Sequence, residues 1–253
     1  MLWNCTSKNM YEPRTYRHWV QEQDLISFNV IVKETDLYIR ASTDLQKKTF
    51  QLVIKYRKQL ENYIKNHPIF AVSLEPVEVE ESCPLIVKDM ADSSTRFNVG
   101  PMASVAGAIA QFVGNELLEF SPEIIIENGG DIFLKSQKDR VVAIYAGKSP
   151  LSGKFGLEVK GKDTPLGICT SSGTVGHSLS FGKSDAVVIV AESASIADAA
   201  ATAIGNMVTT VEDINKAVEY AQKSKLLKGV VIIKDDRMGM WGDIELCEIP
   251  DKE

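Results

Sequence analysis

Asp198 and Thr202 place a carboxylate and a hydroxyl four residues apart, the spacing that sets two side chains on one face of a helix. Two hard oxygen donors so arranged suit Mg²⁺, with water and a substrate phosphate completing the shell. A plainer use is equally readable. Ser195-Ile196-Ala197-Asp198 has the form of a capping box, and Thr202 could bond back to the Asp198 carbonyl. A second cluster is Asn128-Gly129-Gly130-Asp131. Paired glycines make a tight hairpin turn, and they also let a ligand approach the backbone, where Asp131 could accept from a ribose hydroxyl or a ring N–H. The third is the stretch from Thr170 to Gly182, dense in hydroxyls and glycines and holding His177, the only histidine of the second half. It reads either as a surface loop or as a cradle whose N–H and O–H groups hold phosphate. No Walker pattern occurs.

These residues need a scaffold, and the periodicity of the chain supplies one. Alternation over 26–32 and again over 37–41, broken at Glu34-Thr35-Asp36, predicts a β-hairpin. A helix with a broad apolar face follows, capped by Thr43 and ended at His67-Pro68. Residues 70–95 read as a long irregular connection. A second helix runs from Ala103 to Glu119 behind Gly100-Pro101, and strands at 124–126 and 132–134 flank the Asn128–Asp131 turn. Further strands are expected at 141–146, 156–160 and 186–191, helices at 195–208 and 211–223, and strands at 230–234 and 241–246.

Each half thus reads as strand pair, helix, helix, strand pair. The resemblance between halves reaches the residues: Ala103–Asn115 overlies Ala194–Asn206 with seven of 13 positions identical. Chance similarity between alanine-rich helices is the competing explanation. The expectation is an α+β fold of two related ββααββ halves, 1–150 and 151–253, produced by internal duplication. Small residues along both helices would let them pack closely. The copies differ where chemistry could enter, since Gly107 and Gln111 of the first correspond to Asp198 and Thr202 of the second.

Composition narrows the function class. The chain has 253 residues with 28 basic and 34 acidic side chains, a net charge of −6, and no basic cluster, so nucleic acid is not an expected partner. The most apolar stretch, 99–113, is interrupted by Ser104 and Gln111 and is short of the ~20 residues that span a bilayer. With no legible signal segment over 1–8, the expected location is the cytoplasm. Four cysteines and three histidines lie far apart, which leaves oxygen as the ligand type for any metal. Cys169, beside the third cluster, reads more readily as a small buried hydrophobe than as a nucleophile.

The three clusters, in their order, resemble the flavin transferases of the ApbE type, whose pattern runs Asn-x-Gly-Gly-Asp, Thr-Ser-Gly and Ala-Asp-Ala-x-Ala-Thr. Here the blocks are Asn128–Asp131, Thr170-Ser171-Ser172-Gly173 and Ala197–Thr202. That resemblance implies a two-half tunnelling-type fold, FAD and Mg²⁺ as ligands, and transfer of FMN to a threonine of an acceptor protein, or hydrolysis of FAD. It assigns the metal to Asp198 and Thr202. The flavin or a related phosphorylated small molecule goes to Gly100, Pro101, Met102, Asn128, Gly129, Gly130, Asp131, Thr170, Ser171, Ser172, Gly173, Gly176 and Ser178. It puts His177 in the place of the family's catalytic histidine. Two departures stand out: the family's Lys-Gly-Tyr-x-x-Asp becomes Ala106-Gly107-Ala108-Ile109-Ala110-Gln111, and the histidine motif shortens to 176–182. Gly100-Pro101-Met102-Ala103 with that short loop resembles a separate prokaryotic branch, one associated with sulfide use in homocysteine synthesis. Three functions follow as expectations: a flavin-binding transferase or FAD hydrolase, an accessory or carrier in sulfur assimilation using Cys169, and a structural homo-oligomer that has lost the site.

Overall fold

A computed structural model describes residues 24–173 and 182–250. The chain opens with an antiparallel hairpin of β1 (Ile26–Val32) and β2 (Thr35–Ala41), followed by α1 (Gln46–Asn66), the single turn α2 (Ile69–Val72) and α3 (Leu85–Arg96). A 3₁₀ turn over Pro101–Ser104 leads into α4 (Val105–Leu117), and then come β3 (Ile124–Asn128), β4 (Asp131–Lys135), β5 (Arg140–Ala143) and β6 (Phe155–Val159). The second part holds β7 (Leu166–Ser171), β8 (Ala186–Ala191), α5 (Ala194–Gly205), α6 (Asp213–Gln222), β9 (Leu227–Lys234), β10 (Arg237–Gly242) and β11 (Glu245–Glu248).

Eight strands form one antiparallel sheet in the order β1-β2-β3-β4-β7-β8-β9-β10, and β11-β6-β5 form a smaller one. The central strands of the large sheet are covered on both faces. Ile124 and Ile126 of β3, Val187 and Ile189 of β8, and Val230 and Ile232 of β9 face the helices. Their neighbours Ile125, Val188, Val231 and Ile233 face a second core shared with Leu157 and Val159 of the small sheet. Side chains alternate between faces along a strand, so two buried faces demand the unbroken apolar runs seen in β3, β8 and β9. The small sheet is tied to β3 by a buried charge network, in which Arg140 pairs with Glu123 at 2.7 Å and with Asp24 at 2.9 Å.

Around the β4–β7 seam the order is symmetrical in kind. Two strands, helices and two strands (β1, β2, α1 to α4, β3, β4) lie on one side, and β7, β8, α5, α6, β9, β10 on the other. The architecture is mixed, with helices packed on a mostly antiparallel sheet.

Several expectations are corrected. Residues 70–95 are not irregular throughout: α3 buries Ile86, Val87, Met90, Ala91, Ser93 and Ser94, an apolar face diluted by serines and therefore faint in sequence. Thr43 does not cap α1, whose N-cap is Leu45; the Asp44 carboxylate accepts from the Gln46 N–H at 2.9 Å instead. The strand expected over 241–246 is broken at Gly242, whose φ of +105° sends β10 and β11 into different sheets. Among the described residues no helix is long and apolar enough to cross a membrane.

Candidate functional site

The alanine and glycine content of α4 and α5 is explained by where they lie. Both helices pack on each other and on the strands of the β4–β7 seam. A Cβ on Gly107 would stand 2.3 Å from the Ala194 carbonyl oxygen and 2.9 Å from the Asp198 Cβ, so only glycine allows α4 this close to α5. Gly167 of β7 is held to the same limit, with its would-be Cβ 2.3 Å from the Ala194 Cα.

Asp198 sits in this junction, and its partner is not its own helix. Its Oδ2 accepts the Gly107 N–H at 2.9 Å. The N-cap of α5 is Ser193, whose Oγ accepts from the Ile196 N–H. Asp198 therefore closes no capping box with Ser195; it caps the first turn of α4. Burial pushes the Asp198 carboxyl up to about 7, against a pull downward from the N–H groups of Gly107 and Ala106. A helix N-terminus favours a carboxylate, but here desolvation wins. Thr202 follows one turn later on α5 and is half-buried.

The Asn128–Asp131 turn lies against the same helix end. Gly129 (φ +70°) and Gly130 (φ +107°) supply the left-handed backbone of a two-residue hairpin. Asn128 donates from Nδ2 to the Ala106 carbonyl at 3.0 Å, and Glu127 accepts from the Gly130 N–H at 3.2 Å. Asp131 is opposite Cys169 in the β4–β7 register, and the Thr170 N–H donates to the Gly130 carbonyl at 3.2 Å. Thr170 and Ser171 are thus strand residues at the end of β7, half-buried, where the sequence suggested a loop. The Ser171 Oγ lies 3.4 Å from where a Cβ on Gly205 would be, which brings the last turn of α5 over β7. Beyond them the Gly173 N–H donates to the Ser184 carbonyl at 2.9 Å. A Cβ on Gly173 would meet the Gly182 carbonyl at 2.0 Å.

Asn128, Asp131, Thr170, Ser171 and Asp198 are therefore gathered at one end of the seam by the α4–α5 junction. Gly100 and Pro101 are buried in the approach to α4, Gly100 because a Cβ there would stand 1.9 Å from the Ser73 carbonyl oxygen, and Met102 packs on the helix-side core. Gly176, His177 and Ser178 lie outside the described residues. Sequence reasoning missed the backbone donors of Ala106 and Gly107, although the Gly107/Asp198 difference between the two aligned helices was their signal.

Cys169 is fully buried and donates its S–H to the Ala194 carbonyl at 3.2 Å. Burial, then the carboxylates of Asp131 and Asp198, push its thiol well above the ordinary range. A thiol held protonated and away from solvent is a poor nucleophile.

Among the described residues no group of three or more His, Cys, Asp or Glu side chains could hold a metal. The two residues expected to bind metal, Asp198 and Thr202, supply one carboxylate and one hydroxyl, both hard oxygen donors. That set fits Mg²⁺ taking its remaining ligands from water and a ligand's phosphates, and it does not fit a metal caged by protein alone.

The fold has counterparts among known proteins. The flavinyl transferase ApbE of Pseudomonas stutzeri, in its apo form, matches with a TM-score of 0.55 at 12% identity, over 86% of this chain and 93% of that one. The ApbE protein of Thermotoga maritima also gives a TM-score of 0.55 at 12% identity, over 85% and 96%. At such identity the likeness shows the fold, which is the ApbE fold expected from the motifs. Sequence relatives are nearer. A UPF0280 protein of Methanococcus vannielii is 44% identical over 227 residues, covering 87% of this chain and 92% of its own. One from Methanocaldococcus jannaschii is 43% identical over 221 residues, covering 85% and 90%. The family model described as AbpE bacteria matches residues 17–239, and the chain belongs to that family.

Proposed function

We propose that this protein binds FAD, or FMN, with Mg²⁺ at the end of the α4–α5 junction, and that it processes FAD by transfer of FMN to an acceptor protein or by hydrolysis. The observation that carries this reading is the convergence of the Asn128–Asp131 turn, the Thr170-Ser171 strand end and Asp198 on one helix junction. Asp198 and Thr202 would hold Mg²⁺, which when bound supplies positive charge to a diphosphate. Gly129 and Gly130 leave the backbone open to a ligand, and Asp131 accepts from a ribose hydroxyl or ring N–H. The hydroxyls of Thr170, Ser171 and Ser172, with Gly173, would hold phosphate oxygens, a role the motif also gives to Gly176 and Ser178 outside the described residues, and Gly100, Pro101 and Met102 would carry the α4 end of the site. In transfer, an acceptor threonine hydroxyl attacks the FMN phosphorus of FAD, the bond to AMP breaks, AMP leaves, and His177 takes the hydroxyl proton.

This reading includes internal duplication into halves 1–150 and 151–253. Its support is the repeated order of strands and helices about the β4–β7 seam and the contact of Gly107 with Asp198, which occupy the same place in the two aligned helices. It also includes the cytoplasmic location expected from the sequence. Nothing favours the sulfur-carrier alternative, whose thiol is the buried Cys169.

Equilibrium binding tests the reading. FAD is expected to bind about tenfold or more tightly with Mg²⁺ than with EDTA, a difference of about 1.4 kcal/mol or more. Failure to bind FAD or FMN in either condition rejects it.

A further inference from the structure

We infer that Gln111 is a positioning residue for Asp198, an assignment that rests on the reading of Asp198 as part of the flavin site. Gln111 reaches from α4 to the start of α5, where its Oε1 accepts the Ala194 N–H at 2.7 Å. One turn earlier on α4, Gly107 donates its own N–H to Asp198 at 2.9 Å. The two helices exchange caps: α4 terminates the donors of α5 through Gln111, and α5 terminates those of α4 through Asp198.

Ala194 is the fixed point of this exchange. It is fully buried, so its N–H has no water to turn to and needs the Gln111 oxygen. Its carbonyl accepts the Cys169 S–H at 3.2 Å, and the bare α-carbons of Gly107 and Gly167 close on it from α4 and β7. Asp198 is four residues further, one helical turn, so whatever sets the rotation and height of Ala194 also sets the carboxylate. Ser193 supplies the other cap of this turn at 3.5 Å, a longer bond than that of Gln111. Gln111 touches neither the proposed metal nor the flavin; it acts through the helix.

Amide exchange and ligand binding separate this role from simple packing. Gln111→Met keeps length and volume and removes the acceptor, whereas Gln111→Glu keeps an acceptor oxygen. In metal-free protein, exchange at the Gly107 amide, followed by NMR, is expected to quicken clearly in Gln111→Met and return towards wild type in Gln111→Glu. Mg²⁺-dependent FAD affinity is expected to fall about tenfold in the first and to recover in the second, as when a supporting hydrogen bond behind a ligand is lost. If Gln111→Met does not fold, Gln111→Asn, shorter by one methylene, gives the same readout. Unchanged Gly107 exchange in the acceptor-lacking or shortened variant overturns the positioning role, and so does equal loss in the Met and Glu variants. Exchange that moves and is rescued while FAD affinity stays constant upholds the positioning of Asp198, and what fails is its reading as a ligand.

Discussion

Asp198→Asn is expected to make the metal-free protein more stable at pH 8 while abolishing the Mg²⁺ dependence of FAD binding. The sign follows from linkage. The folded carboxyl is pushed up to about 7 from an ordinary 3.8. Between those values the unfolded chain has released its proton and the folded chain still holds it, so stability falls as pH rises through this window and is flat above it. Carrying the buried charge at pH 8 costs on the order of 4 kcal/mol, at about 1.4 kcal/mol per unit. Asparagine keeps an oxygen for the Gly107 N–H and carries no charge, so it avoids this cost. Urea unfolding in EDTA at pH 5 and pH 8 measures it: wild type should weaken towards pH 8 relative to the variant, with the gap narrowing to about 2 kcal/mol at pH 5 and closing only below the ordinary carboxyl range. A variant less stable than wild type at pH 8 contradicts the buried, poorly compensated carboxylate. Residues kept at a cost in stability are a mark of functional sites.

Gly107→Ala is expected to lose about 3 kcal/mol, the upper end for overpacking a tight interface. In an ordinary helix interior the same change gains up to about 1 kcal/mol, so the expected sign is reversed by the packing. The new methyl would meet a main-chain oxygen of Ala194 at 2.3 Å and the Asp198 Cβ at 2.9 Å, neither of which is the free end of a flexible side chain. Relief requires α4 and α5 to part, and parting them breaks both exchanged caps. For a domain of this size the loss corresponds to a melting temperature lower by about 6–12 °C. Wild-type stability in Gly107→Ala would mean that the helices stand further apart than described.

Much of this molecule is legible in its sequence, for identifiable reasons. The β1–β2 hairpin, α4, the glycine turn at 129–130, β8 and α5 were readable because each has a strong local signal: alternation, a proline-led start, paired glycines, or a run of apolar β-branched residues. The strand β7 was not, since Thr170 and Ser171 carry hydroxyls that resemble a loop, and their place is set by pairing with β4 and β8 far away in sequence. The helix α3 was hidden by Ser93 and Ser94, which are buried where an apolar residue would have marked the face. The site divides the same way. Motif residues could be named in advance, but the capping of α4 by Asp198 and of α5 by Gln111 is a contact between helices, and no spacing within either helix reveals it.

The central claim is that Asp198 and Thr202 hold a cation against a flavin's phosphates. Crystals grown with FAD and Mn²⁺ in place of Mg²⁺ test it most directly, because manganese is located by its anomalous scattering. The account predicts a single strong peak beside the Asp198 carboxylate and the Thr202 hydroxyl, in contact with phosphate oxygens. Bound FAD with manganese elsewhere, or with none at that carboxylate, would contradict it.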